Sequence, residues 1–171
     1  MRLSEYTDYT LRVLMYCAAH PERRITIAEI AERHEVSKNH LMKIVNDLAR
    51  QGVIETTRGR GGGLRLLKRP GDIKVGDVVR NSETDFRLVE CFDRRTNTCS
   101  LTPTCRLKGV FGAALQAYFT ELDAATLADI AGPVRAARGS VAASLGATKV
   151  APMSAPVTRR RAAAKRTPRA Q

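Results

Sequence analysis

The chain has no tryptophan and only four phenylalanines and four tyrosines in 171 residues, so its core has to be aliphatic. No apolar run approaches the roughly 20 residues that a membrane-spanning helix needs. Met1-Arg2-Leu3-Ser4-Glu5 has none of the apolar stretch that opens a secretory leader. The expectation is a cytoplasmic protein with no membrane contact. Acidic residues are also scarce, since 17 Asp and Glu face 29 Lys and Arg, a net charge of +12. That balance points to a polyanionic partner such as nucleic acid. Seven of the basic residues and none of the acidic ones lie from Lys149 onward, so the remainder sets 22 basic against 17 acidic residues and is only moderately basic. Cysteine is sparse too. A reducing cytoplasm disfavours pairing the four into disulfides, and Cys91, Cys99 and Cys105 crowd into one short stretch, which suggests a metal or a cluster.

What is present, 43% apolar and 27% charged residues, is ordinary for a globular domain. From Tyr6 to His20, Leu11, Leu14, Met15 and Ala18 form one apolar helical face, and Pro21 stops the helix. Thr26-Ile27-Ala28-Glu29 is a capping box that opens a second, short helix buried through Ile27, Ile30 and Ala31 and ending near His34. Ser37 caps a third, with Leu41, Ile44, Val45, Leu48 and Ala49 on one stripe and Gly52 as its stop. Two short helices joined by a tight turn fit a helix-turn-helix that reads the DNA major groove, and equally an ordinary helical hairpin. On the first reading Ser37, Lys38, Asn39, His40 and Lys43 face DNA.

The next segment favours DNA. Val53–Thr57 and Leu64–Leu67 read as strands around Arg58-Gly59-Arg60-Gly61-Gly62-Gly63, a hairpin with Arg58 and Arg60 at its tip. Such a wing reaches phosphates or a narrow minor groove. A phosphate-cradling loop would instead need a lysine followed by Ser or Thr at a helix start, and none follows. A short helix around Val75 to Arg80 and an extended lead-in, Phe86 to Val89, come next. Then Leu107, Val110, Phe111, Ala114, Leu115, Tyr118, Phe119 and Leu122 recur at intervals of three and four, marking one long amphipathic helix. Its wide stripe needs cover, either from the same helix of a second copy in a two-fold dimer or from the first helix of its own chain. A further short helix spans Thr126 to Ile130. Beyond Gly132-Pro133 the chain is rich in Ala, Arg, Ser and Pro, and disorder is expected. The fold class is thus mainly α. A winged helix-turn-helix unit spans 1–80, a cysteine loop 81–106, a dimerisation-helix region 107–132 and a basic tail 133–171.

Soft thiolates select zinc or iron-sulfur clusters. Structural zinc uses close cysteine pairs, whereas seven and five residues separate these three, a spacing that favours an iron-sulfur cluster with a fourth ligand from elsewhere. Cys17, inside the first helix, reads as a buried small hydrophobe, and His20 and His34 as structural or solvated residues at helix ends.

Four segments together, Met1 to Arg12, Val36-Ser37-Lys38-Asn39-His40-Leu41, the Arg58 to Gly63 loop and Leu101-Thr102-Pro103-Thr104-Cys105-Arg106-Leu107-Lys108, resemble the iron-sulfur winged-helix repressors, in particular their nitric-oxide-sensing branch. The resemblance runs from Met1 to about Ala131. It implies a homodimeric repressor whose iron-sulfur cluster, 4Fe-4S ahead of 2Fe-2S, is destroyed by nitric oxide, releasing the operator of nitrosative-stress genes. The branch that regulates cluster biogenesis uses a histidine three residues past its last cysteine, and here that place holds Lys108. The nitric-oxide branch recruits an aspartate near the start of the first helix of the opposite subunit, and Asp8 matches it. Seven residues lie between Cys91 and Cys99 where many relatives have five. An iron-responsive repressor of the same fold is the alternative. An electron carrier or redox enzyme is disfavoured, because no cofactor or nucleophile constellation accompanies the cysteines and the wing would have no purpose.

Overall fold

A computed structural model describes residues 2–131 of the chain. The basic tail expected over 133–171 lies outside the described residues.

Helix α1 (Glu5–Ala19) begins at Ser4, whose hydroxyl accepts from the Thr7 N–H at 3.2 Å. Its deepest face is Thr7, Thr10, Val13, Leu14 and Cys17 rather than the Leu11-Leu14-Met15-Ala18 stripe expected from polarity. The threonines bury because their hydroxyls are satisfied locally. Thr10 Oγ1 donates to the Tyr6 carbonyl at 2.7 Å, and Thr7 Oγ1 lies 3.1 Å from Ser4 Oγ. Leu11, Met15 and Ala18 pack at the margin of the core.

The threonine half of the capping box forms, with Thr26 Oγ1 accepting from the Glu29 N–H at 3.2 Å, and opens α2 (Ile27–His34), while the Glu29 carboxylate bonds Tyr16 and Arg23. The following turn passes through Glu35 in the left-handed region at φ 55°, the one non-glycine residue with positive φ among the described residues. Ser37 then caps α3 (Lys38–Arg50), whose Leu41, Ile44, Val45 and Leu48 are buried. Each such aliphatic side chain contributes about 1.5–3 kcal/mol on leaving water. Helix α3 closes with two reciprocal bonds, Gly52 N–H to Ala49 O and Val53 N–H to Leu48 O, both 3.0 Å, made possible by Gly52 at φ 65°.

Strands β1 (Ile54–Thr57) and β2 (Gly63–Leu66) pair antiparallel, Ile54 opposite Leu66 and Thr57 opposite Gly63. A feature not legible beforehand completes this sheet. Ile25, just ahead of α2, exchanges both backbone bonds with Leu64, at 2.9 and 2.8 Å, and both side chains are fully buried. The hairpin is therefore stitched to the core at its base while its tip projects.

A 3-10 turn (Pro70–Asp72) leads into α4 (Val75–Ser82). The lead-in at Phe86 to Val89 forms no strand, and a second 3-10 turn (Glu90–Phe92) precedes the cysteine loop. Helix α5 (Arg106–Ala124) buries none of its residues, with Leu107 and Val110 exposed at 56% and 62%. Its main partner in the chain is α4, not the first helix. Arg80 clamps the two, donating to both Asp123 carboxylate oxygens at 2.6 Å with its guanidinium 4.3 Å from the Phe119 ring centre. The short α6 (Leu127–Ala131) returns to α1. No described helix is long and apolar enough to cross a membrane.

A Cβ at Gly52 meets nothing within 4 Å, so only the left-handed backbone resists substitution there. Gly52→Ala is expected to cost about 1 kcal/mol in urea unfolding. At Gly63 (φ 153°) a Cβ would also lie 2.7 Å from the Ile25 carbonyl oxygen, so Gly63→Ala is expected to cost more.

Candidate functional site

Because the apolar stripe of α3 faces the core, its remaining surface is presented outward. Ser37, Lys38, Asn39, His40 and Lys43 are all exposed in the cap and first two turns. Met42 and Asn46 lie on the same exposed side and were not singled out from the sequence, although the three-to-four residue step from Asn39 marks them. Arginines around the wing divide by duty. Arg24 and Arg65 both bond Glu55, at 2.6 and 2.5 Å, and so fix the hairpin. Arg58 and Arg60, at the tip, are exposed and make no ion pair among the described residues.

The N-terminal turns of α1 lean on α3. The Tyr6 hydroxyl donates to Asp47 Oδ2 at 2.5 Å, and the Lys43 ammonium lies 5.7 Å from the Tyr6 ring centre. Tyr9 sits beside His40, with ring centres 6.4 Å apart. Asp47 also receives the Arg50 guanidinium. Burial, and then the Asp47 bond, push the Tyr6 phenol from 10.0 up to about 12. The Tyr6 hydroxyl, followed by Arg50, holds the Asp47 carboxyl below its ordinary range. Two residues beyond Tyr6, Asp8 pairs with Arg12 at 2.7 Å, both side chains nearly half exposed. An exposed pair of this kind contributes little, so Asp8 is cheaply released to another partner.

The other α1–α2 contacts are structural. Tyr16 donates to Glu29 at 2.8 Å, and Arg23 adds bonds at 2.9 and 2.5 Å, Arg23 foremost in holding the Glu29 carboxyl at about 2. His20 caps α1 with Nδ1 2.9 Å from the Tyr16 carbonyl oxygen, and His34 packs its ring edge-on against Tyr16. Neither belongs to the cysteine loop.

All four cysteines are free. Cys17 lies in the core, and burial pushes its thiol up to about 12, so it stays protonated and is no thiolate donor. Cys91 is buried in the second 3-10 turn, Cys99 is half-buried, and half-buried Cys105 stands at the N-terminal cap of α5 with no capping bond from its side chain. Carboxylates and one amide organise the loop between them. Asp93 accepts from the Arg95 N–H at 2.9 Å and from Arg87 at 2.8 Å. Asn97 Oδ1 accepts the Cys99 N–H at 3.2 Å. Glu90 accepts the Thr98 N–H and, at 2.8 Å, the Thr98 hydroxyl, and these two bonds hold its carboxyl below the usual range. Among the described residues no three His, Cys, Asp or Glu side chains converge closely enough to hold a metal ion. The single chain thus presents the three thiols without gathering them. By donor chemistry the set suits an iron-sulfur cluster, since three unpaired sulfurs with no competing disulfide supply three of its four ligands.

A recognition helix with an exposed polar first half, followed by a hairpin with uncommitted arginines at its tip, defines a winged-helix DNA-binding protein. The model of the Rrf2 family, described as an iron-dependent transcriptional regulator, matches residues 3–133, and the chain belongs to that family. It is 51% identical over 131 residues to the HTH-type transcriptional regulator NsrR of Bacillus subtilis, covering 76% of this chain and 90% of that protein. Identity to the regulator of the same name from Shouchella clausii is 47% over 131 residues, 76% of this chain and 88% of the relative. Among solved structures, T. potens IscR superposes with a TM-score of 0.61 at 27% identity, covering 76% of this chain and 85% of that one. The protein is a DNA-binding transcriptional regulator, and its named relatives are regulators, not enzymes.

The Tyr6–Asp47 bond carries a pH signature. Asp47 titrates lower in the folded chain, so the bond's contribution is present above about pH 4 and is lost as pH falls through the depressed value. Tyr6 titrates higher, so the contribution is fully present below pH 10.0 and is lost as pH rises through about 12. Tyr6→Phe is expected to lower stability by about 1 kcal/mol across that window. Its deficit against the parent in urea unfolding should shrink below the window.

Proposed function

We propose that this protein is a homodimeric repressor that senses nitric oxide through an iron-sulfur cluster, 4Fe-4S ahead of 2Fe-2S, and controls nitrosative-stress genes. The observation that carries the reading is one loop bearing three free thiols, Cys91, Cys99 and Cys105, placed between the winged-helix unit and the exposed helix α5. Support for nitric oxide comes from the relatives named NsrR and from Lys108, which removes the histidine that the biogenesis branch would need. Asp8 of the partner subunit completes the ligand set, and the weak Arg12 pair lets it go at little cost. The cluster, when bound, supplies iron that nitric oxide attacks.

The chain's own residues do the rest. Lys38, Asn39, His40 and Lys43 meet base edges and phosphates at the start of α3, with Ser37 at its cap, and Arg58 and Arg60 reach backbone or minor groove from the wing. Tyr6 and Tyr9 connect the α1 turn that carries Asp8 to Asp47 and His40 of α3. The exposed apolar residues of α5 supply the dimer contact.

Anaerobic purification with absorbance and native mass spectrometry, followed by operator mobility shifts with and without nitric oxide, tests the reading. The holo-protein is expected to retard the fragment and nitric oxide to release it. Release by iron chelation alone, with no response to nitric oxide, would favour the iron-responsive alternative. Alanine at Cys91, Cys99 or Cys105 is expected to abolish stable iron and sulfide, whereas Asp8→Ala leaves a cluster of shortened lifetime, because a carboxylate binds iron less tightly than a thiolate.

For DNA, Arg60→Ala is expected to weaken binding alike on all sequences and to reduce the salt slope by about 1. Asn39→Ala is expected to cost about 1–3 kcal/mol at the base it reads and to relax preference there. Fluorescence anisotropy on operator variants across a salt series separates the two effects, and an equal loss on every sequence for both would refute the division.

A further inference from the structure

Seven residues lie between Cys91 and Cys99, on a segment with no helix or strand beyond the turn at Glu90–Phe92. Presenting both thiols to one centre requires that segment to be held closed, since an open one would have to be ordered at the moment of binding. The side chain that closes it is Glu90. A single carboxylate oxygen accepts both the backbone N–H and the hydroxyl of Thr98, the second at 2.8 Å. Glu90 immediately precedes Cys91 and Thr98 immediately precedes Cys99, so the two residues that flank the thiols are tied through one atom. Asn97 holds the same turn from its other side, accepting the Cys99 N–H at 3.2 Å and donating to Thr102 Oγ1 at 3.0 Å. Glu90 pairs with no Lys or Arg among the described residues, unlike Asp93 and Asp85 nearby, which both bond Arg87. The hydrogen bonds its carboxylate makes among the described residues stay within the loop.

We infer that Glu90 is a positioning residue for the thiolate site, setting the Cys99 turn against the Cys91 turn through Thr98 without itself ligating metal. This rests on the reading of Cys91, Cys99 and Cys105 as ligands. Side chains that orient ligands from behind typically cost about 10–100-fold in metal affinity when removed, and Glu90 holds that place for two of the three thiols.

The test uses the full chain, reconstituted anaerobically with iron and sulfide. Cluster half-life is followed by visible absorbance after a chelator is added, and the thermal midpoint of the apo-protein is measured alongside. Glu90→Ala is expected to shorten the half-life about 10–100-fold. Its apo midpoint should stay within about 3 °C of the parent, as for other surface changes. Thr98→Val keeps the backbone bond and should fall between the parent and Glu90→Ala, as should Glu90→Gln, which retains an acceptor oxygen. The double variant Glu90→Ala with Thr98→Val should be no worse than Glu90→Ala alone, because both remove the same tie. A parental half-life in Glu90→Ala, additive losses in the double variant, or a half-life that falls only in step with the apo midpoint would each overturn the inference while leaving the ligand assignment standing. Full iron and sulfide content in Cys91→Ala would instead remove the ligand assignment, and the inference with it.

Discussion

Burial of one stripe of α3 sets the geometry from which the rest of the DNA-binding unit follows. Residues three and four apart share a helical face, so seating Leu41, Ile44, Val45 and Leu48 in the core leaves Lys38, Asn39, Met42, Lys43 and Asn46 no orientation but outward. A small rotation of the helix would bury an amide or an ammonium without a partner, which is far costlier than any gain in packing. The hairpin inherits its place from the same constraint. The bonds from Gly52 and Val53 onto the last turn of α3 determine where β1 starts, and Ile25 fastens β2 from the other side. The surfaces proposed to meet DNA are therefore positioned by aliphatic contacts behind them, and their charges are left with little structural duty. Among the described residues Arg58 and Arg60 pair with no carboxylate, while Arg24 and Arg65 are consumed by Glu55.

The part of the unit beyond α4 is held differently. Helix α5 has no buried residue, and its attachment concentrates where Arg80, Asp123 and Phe119 meet. Its first turns, which follow directly from Cys105, keep Leu107 and Val110 in solvent. A winged-helix unit whose core also takes in Leu127 of α6 thus continues into a helix whose apolar surface is incompletely covered, with the cysteine loop at the junction. That arrangement suits a chain in which events at the loop and contacts made by α5 are felt together.

Much of this was legible in advance. The helix caps at Thr26 and Ser37, the α3 stripe, the Gly52 stop, the hairpin and the long amphipathic helix all follow from local chemistry that acts over three or four residues, and the fold class followed from their order. The misses have a common cause. Thr7 and Thr10 look polar in sequence, yet their hydroxyls are satisfied by α1 and its cap and they bury as readily as valine. The Ile25–Leu64 bridge and the Tyr6–Asp47 bond join residues 39 and 41 apart, and nothing local announces such partners. The same limit applies to the loop. Three cysteines are conspicuous in sequence, whereas the Glu90–Thr98 tie between them is visible only when the chain is folded. The wing's free arginines became distinguishable from its structural ones for the same reason.

Cys17 gives the scaffold a chemical asymmetry. Thiol oxidation and alkylation proceed through the thiolate and need access, and a fully packed sulfur held near 12 offers neither. Electrophiles and peroxides are thereby kept from a core position where an added oxygen would wedge α1 from its neighbours. Whatever reagent meets the outside of the molecule, the hydrophobic interior that aims α3 keeps its shape.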